Sequence, residues 1–421
     1  MAEIQNYQCP ACGAPLEYAA GTSKLHCPYC ESDFEIDELK SKEKESSVEE
    51  NQDGENLVEI SCTACGAKIV CQPTTAATSC PYCNNTAVVT TQFKGELKPD
   101  YIIPFAIKKE RAVSLLKEFY KGKPLLPKTF TSENSLQEVK GVYVPFYFFD
   151  GTADGYAIFK SEKHITHQNS RETVKVTRHY DCIREGSMDF KMVPVDASKQ
   201  MDNDLMDSLE PFDYDGLKPF STGFLPGYLA DIRDEDGEDL AKRAANRTTE
   251  SLRQAFYSTV VGYDSVSLSA GNATFSSTGQ HYGLLPVYLL NTKWQDKMFS
   301  FAINGQTGKT IGTLPISAAK SVARFFKGFF ISAAIEALIV FLGIKFGDWS
   351  FDSDEAMMML AGCSFLSLII AITSLSIARA AMKTVSSAKD ATCYVSDRLK
   401  LRKKNDMFIT ETKVVIPKDK K

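Results

Sequence analysis

Residues 325–346 read FFKGFFISAAIEALIVFLGIKF, and residues 356–377 read AMMMLAGCSFLSLIIAITSLSI. Lys327, Glu336 and Lys345 are the only charges in the first stretch, and the second has none. About 20 residues of helix cross the hydrocarbon of a bilayer, so both stretches meet the length requirement. The joining segment, 347–355, carries Asp348, Trp349, Asp352, Asp354 and Glu355. We therefore expect a transmembrane helical hairpin over 320–382, with spans 325–346 and 356–377. A buried soluble hairpin is the alternative, and the uncharged second stretch argues against it.

The flanks give an orientation. Lys320, Arg324 and Lys327 open the first span, and Arg379, Lys383 and Lys389 follow the second, whereas the loop side has only Lys345. The positive-inside rule then puts both termini in the cytoplasm of a multi-pass cell-membrane protein. Beyond the hairpin, 383–421 reads as a basic cytoplasmic tail, including Arg402, Lys403 and Lys404, either solvated or drawn to an anionic leaflet.

The other end of the chain is rich in cysteine. Four Cys-x-x-Cys pairs occur: Cys9/Cys12, Cys27/Cys30, Cys62/Cys65 and Cys80/Cys83. A shift of 53 positions superimposes the first two pairs on the second two, and also matches Ala11 to Ala64, Gly13 to Gly66 and Pro28 to Pro81. Each set of four thiolates suits a tetrahedral ion at about 2.3 Å, which describes a structural zinc ribbon. Two zinc ions are expected, in ribbon 1 (1–36) and ribbon 2 (57–92). Rubredoxin-like iron shares this spacing. Disulfides would need an oxidising compartment, and no apolar leader precedes Cys9. With four protein ligands each, the sites leave no open position for a substrate. Cys71, Cys182, Cys363 and Cys393 read as buried hydrophobes.

Between the ribbons, 37–56 holds eight acidic residues and only Leu39 and Val48 as larger apolar groups, so it reads as a flexible acidic linker with the ribbons as independent beads. From 93 to 319 the composition is that of an α+β, mostly antiparallel domain. A helix is expected over 110–121, stopped by Gly122 and Pro124, and another over 236–260 with Leu240, Ala244, Ala245, Leu252, Ala255 and Phe256 on one side. GVYVPFYFFD (141–150) reads as a strand that continues at 155–160 after a turn, and 172–180 alternates like a strand. Residues 284–291 and 297–304 form a strand pair ending at the hairpin signal Asn304-Gly305. The phrases 144–150 and 285–291 resemble each other.

Several patterns suggest chemistry without completing it. Gly305 to Thr310 has two residues between its glycines where a phosphate loop needs four, so it reads as a turn. His164 and His167 fall on opposite faces of a strand. Glu336, near the middle of a span, should be neutral, paired or turned towards protein, and the small-residue stripe Cys363, Ser367, Ala371, Ser374 and Ala378 offers such a surface. No nucleophile or acid/base constellation appears, so the chain reads as a non-enzyme. The net charge of −5, from 48 Lys+Arg against 53 Asp+Glu, weighs against nucleic acid as the main partner.

These cysteine pairs, together with Ile103-Pro104-Phe105, GVYVPFYFFD (141–150), Pro194-Val195-Asp196-Ala197, Glu210-Pro211-Phe212 and FAINGQTGK (301–309), resemble the bacterial TFIIB-type zinc-ribbon membrane proteins, often catalogued as primosomal protein N′-like. The resemblance implies companions of phage-shock and flotillin-like (SPFH) proteins that assemble on membranes under envelope stress; it implies no enzyme activity. The expectation is a membrane-anchored adaptor that docks protein partners at the cytoplasmic face, with homo-oligomers among its states. The alternatives are a membrane-tethered nucleic-acid-binding ribbon protein and an ion- or proton-conducting oligomer using Glu336.

Overall fold

A computed structural model of the chain describes residues 3–36, 42–45, 49–50, 58–61, 68–71, 75–79, 86–89, 98–131, 139–168, 172–235, 237–295, 297–346, 353–385 and 390–417. In sequence order it runs from a cysteine cluster, through a sheet-rich and mostly antiparallel body, to two apolar helices. That is the expected layout, with four corrections.

The first concerns ribbon 1. Its strands are β1 (Glu3–Asn6), β2 (Glu17–Tyr18), β3 (Lys24–His26) and β4 (Asp33–Glu35), of which β2, β3 and β4 form a small antiparallel sheet. Leu16, Tyr18 and Leu25 are buried in one apolar cluster with Phe105, Tyr143 and Tyr288 of the body. Ribbon 1 is therefore not an independent bead. A ribbon of this size cannot enclose a core of its own, so its apolar side chains are buried on the neighbouring sheet.

The second concerns the acidic segment. Within it β5 (Lys42–Glu45) pairs along β1, and β6 (Glu49–Glu50) pairs with β7 (Val58–Ser61), which in turn pairs with β8 (Lys68–Cys71). Two parts of 37–56 are thus strands and not tether. The Lys42–Glu45 alternation of sign sets Glu45, Lys44, Glu43 and Lys42 opposite β1, a backbone ladder that a composition count does not detect. Ribbon 2 also contributes to the body, since β9 (Thr75–Ser79) pairs with β10 (Thr86–Val89) and, through Ala77, with Ala230.

After β11 (Tyr101–Ile102) and helix α1 (Lys109–Tyr120), the body is built on β12 (Lys140–Gln168) and β13 (Glu172–Asp196), two strands of 29 and 25 residues. This is the third correction: the chain does not turn between 150 and 155. The glycines of GTADG (151–155) looked like a turn, but their role is close strand approach. A Cβ on Gly151 or Gly155 would come within 2.4 Å of the backbone oxygen of Ser276 or 2.3 Å of that of Asn272. The partner there is β16 (Ser265–Trp294), which follows helix α2 (Asn203–Leu209), short strands β14 (Lys218–Pro219) and β15 (Leu229–Asp231), and helix α3 (Gly237–Ser258). The two similar phrases pair with each other, Val144 against Leu285 and Val142 against Val287.

β17 (Lys297–Asn304) returns along β16, and the Asn304-Gly305 turn leads into β18 (Thr310–Gly312). Helices α4 (Ala318–Phe346) and α5 (Ser353–Ala380) then form the hairpin. The fourth correction is the basic tail. Val395–Pro417 is a 23-residue strand, β19, paired antiparallel along β13 from Phe190 to Glu172. Its basic side chains stand on partners in the sheet: Arg402 pairs with Asp154 and Lys400 with Asp189 at 3.0 Å. Alternating charge on an exposed strand hid the β period from a hydrophobic reading.

Candidate metal centre

Cys9 and Cys12 lie on the loop before β2, and Cys27 and Cys30 on the loop between β3 and β4. Both loops fold back on themselves in the same way. Gly13 N–H donates to the Cys9 carbonyl at 2.8 Å, and Glu31 N–H donates to the Cys27 carbonyl at 2.9 Å. The residue after each second cysteine is left-handed, at φ 73° for Gly13 and 60° for Glu31. The sequence signalled that conformation through Gly13 but not through Glu31, where an ordinary side chain accepts a cost of about 1–2 kcal/mol.

The four sulfurs all lie within 4.8 Å of one another, with Cys9 to Cys30 at 3.5 Å and Cys12 to Cys27 at 3.6 Å. A tetrahedral ion with bonds of about 2.3 Å would set its sulfurs about 3.8 Å apart, so the cluster can hold a metal ion with little movement. Hydrogen bonding with the Ser32 side chain and backbone pulls the Cys30 thiol down to about 6, whereas desolvation and the three neighbouring thiols push that of Cys12 up to about 12. Cys9 and Cys27 are buried against the body, and Cys12 and Cys30 are exposed. Cys62, Cys65, Cys80 and Cys83, the expected second site, lie outside the described residues.

Ribbon 1 is fastened to the body around this centre. The hydroxyls of Tyr7 and Thr222 are 2.8 Å apart, Tyr18 N–H donates to the Pro226 carbonyl at 2.9 Å, and Lys218 Nζ donates to Ser23 Oγ at 2.6 Å. Tyr18 meets Phe224 edge to face, and burial pushes the Tyr18 and Tyr228 hydroxyls up to about 12, so both stay neutral at ordinary pH.

The hairpin brings its polar residue to the expected surface. Ser367 Oγ of α5 and Ser332 Oγ of α4 each donate to Glu336 at 3.0 Å, one to each carboxyl oxygen. Gly305 to Thr310 forms a turn, as its glycine spacing implies. Asn304 Oδ1 accepts from the N–H groups of Gln306 and Thr307, and Lys309 Nζ is spent on the Glu210 carbonyl. His164 and His167 both lie in β12, where His164 shares a hydrogen bond with Thr177 Oγ1.

A charged cluster escaped the sequence reading. Arg247, on the apolar side of α3, donates to both carboxyl oxygens of Glu210, at 2.9 and 2.6 Å, and to the Pro194 carbonyl at 2.7 Å. Tyr394, just before β19, donates to Glu210 at 2.9 Å. Burial raises the Glu210 carboxyl above its ordinary value, yet the two-pronged geometry favours an ion pair. The only signal available was a basic residue interrupting the Leu240–Ala244–Leu252 stripe. The cluster joins α2, α3, β13 and the chain returning from the hairpin.

Comparison with known proteins takes in most of the chain. No family model matches it, and no solved structure matches it. The uncharacterized protein YdjG of Bacillus subtilis (strain 168) is 32% identical over 325 residues, covering 77% of this chain and 94% of the relative. The chain belongs to the YdjG family. A match of that length exceeds the ribbons and hairpin together, so membership rests on much of the sheet-rich body and not on the Cys-x-x-Cys spacing alone.

Both apolar helices are long enough to cross a membrane, Ala318–Phe346 and Met357–Ala380, each with a mean hydropathy of 2.1 in its most apolar window. Within those windows 6% and 11% of residues are buried in the chain, so the hairpin does not serve as the core of the body.

Proposed function

We propose that this protein is a non-enzymatic, membrane-anchored zinc-ribbon adaptor. In this reading it is a TFIIB-type zinc-ribbon membrane protein that docks partners of the phage-shock or SPFH type at the cytoplasmic face. The observation that carries it is the pairing of a closed four-thiol centre with a hairpin whose apolar surface is almost wholly exposed. Four protein sulfurs fill a tetrahedral ion, so the metal has no position for substrate and acts by fixing the ribbon's shape. Zinc fits the all-sulfur set and supplies folding free energy without redox chemistry; a second zinc is assigned to Cys62, Cys65, Cys80 and Cys83.

Exposed apolar helices of this length are costly in water, and a bilayer removes that cost at about 25 cal/mol per Å² of apolar surface. The cationic flanks then place both termini in the cytoplasm, which also keeps the thiols reduced. Ribbon 1, fixed to the body by Tyr7, Tyr18 and Ser23, presents Tyr29 exposed beside the metal centre.

The test compares the tagged full chain with its Cys27→Ser variant, both solubilised from membranes of the native host. A membrane-bound SPFH or phage-shock protein should be enriched with the first and lost with the second. Equal recovery from an untagged control would overturn the adaptor. Recovery of the untreated chain in the supernatant after ultracentrifugation would overturn the anchor.

A further inference from the structure

The four long strands form a ribbon of sheet with two unpaired borders. Their order is β16–β12–β13–β19, antiparallel throughout. Among the described residues, β19 pairs only with β13, leaving its other side open over all 23 residues. On the far border, β16 pairs with β11 at Gly283 and Leu284 and with β17 from Val287 onward, so among the described residues 265–280 has no outer partner. Most side chains on both borders are exposed. A long open edge presents a row of backbone donors and acceptors ready to accept another strand.

The two borders match in three respects. The first is height. Lys404 stands beside Arg184, Arg184 beside Ala157 and Ala157 beside Gly271; likewise Thr410, His179, Glu162 and Ser265 share one level. The open edges therefore overlap, 395–410 on one border lying level with 265–277 on the other. The second is direction: with four antiparallel strands the borders run oppositely, so a neighbour set alongside in the same orientation continues the antiparallel alternation. The third is charge. Strand β19 carries six basic residues against three acidic, concentrated in Lys400, Arg402, Lys403 and Lys404, while 265–280 has no ionisable side chain.

We propose that copies of this chain assemble side by side, β19 of one on 265–280 of the next. The alternative, two β19 strands pairing with each other in a register centred on the basic run, sets Lys403 and Lys404 of both chains together, and like charges on paired strands repel. It also reverses one chain. The hairpin leaves the body at the end of the sheet where β12 begins, as the Thr313–Lys383 bridge shows, so reversed copies would carry their helices at opposite ends. Rejecting that mode by orientation rests on the membrane anchor; the match of the two edges does not. Head-to-tail contacts either close into rings or extend as filaments. They would cover the apolar border residues Met407, Phe408 and Ile409, which are 40–54% exposed in the single chain.

The experiment uses the full chain in its native membranes with a photo-reactive benzophenone side chain at Asn272, or in a second preparation at Lys403. The Asn272 probe should give a ladder of crosslinked species beyond the dimer, with peptides from 395–417 captured. A mixed isotope-labelled and unlabelled population should show that the link is between chains. Ala270→Lys with Asn272→Lys, which sets two positive charges against the basic edge, should reduce the detergent-solubilised protein to single chains while its melting temperature stays within a few degrees. A monomer from the unsubstituted chain would overturn the proposal, as would a Lys403 probe capturing β19 itself or an unchanged assembly in the lysine variant. Failure of the anchor is read separately, from the chain's fractionation with or without membranes.

Discussion

The backbone N–H of Gly21 donates to the carbonyl of Phe105 at 3.0 Å, joining the tip of ribbon 1 to the aromatic centre of the body. Gly21 has φ 79°, and a Cβ there would lie 3.1 Å from the Ala106 carbonyl oxygen. Gly122 has nearly the same φ, 74°, with nothing within 4 Å. Gly122→Ala should therefore cost only the left-handed strain, about 1–2 kcal/mol. Gly21→Ala should cost more and release the ribbon, seen as faster amide exchange over 16–25 with the body's protection retained. Equal costs would show that the docking is not tight.

Because Cys27 belongs to the same buried cluster as Phe105 and Tyr143, the metal centre and the body should melt together. Cys27→Ser should lower bound zinc by one equivalent in elemental analysis and shift the main thermal transition down. Structural zinc contributes about 10–16 kcal/mol in isolated ribbons, so even a fraction transmitted to the body is a large shift. An unchanged main transition would mean that the ribbon folds alone.

Burial lifts the Asp231 carboxyl to about 6, with neighbouring Asp234 adding to the shift. The folded state therefore holds a proton that the unfolded chain releases near 4. Stability from that proton is full below about pH 4 and is lost as pH rises through 6. Asp231→Asn should stabilise the protein at pH 7.5 by about 1–3 kcal/mol, with a smaller gain at pH 5. Thermal melts of both proteins at both pH values check this, and a gain independent of pH would exclude titration as the cause.

Ser367 donates to Glu336 across the two hairpin helices. Ser367→Ala should weaken their association by about 0.6–2 kcal/mol, the range for hydrogen bonds between helices in a bilayer. Glu336→Gln, whose amide oxygen accepts from one serine while its amide N–H donates to the other, should lose less. An unfolding equilibrium of the hairpin in lipid gives the ranking, and the reverse order would count against the observed geometry.

How much of this was legible in the sequence depends on whether the signal is local. Cys-x-x-Cys spacing, the turn after Asn304, helix α1 with its Gly122 stop, and two uncharged or nearly uncharged spans each depend on neighbours within a few residues. The first cysteine set, the turn, the helix and the two apolar helices appear where expected; the second cysteine set lies outside the described residues. The Leu240–Phe256 face of α3 was also readable, but the reason for Arg247 within it was not. Its partner Glu210 lies on another element, and no periodicity reports a contact between residues that far apart.

The sequence by itself determined the thiol cluster of Cys9, Cys12, Cys27 and Cys30, the apolar hairpin and the mostly antiparallel body, because each follows from periodicity or short-range stereochemistry. Only the tertiary structure decided that ribbon 1 shares the body's core, that GTADG (151–155) is straight strand, and that the basic C-terminal segment is the border of a sheet. Those outcomes depend on which backbone lies beside which. A strand exposed on both faces needs no apolar alternation, so nothing along β19 announces its pairing with β13 until both are brought together in space.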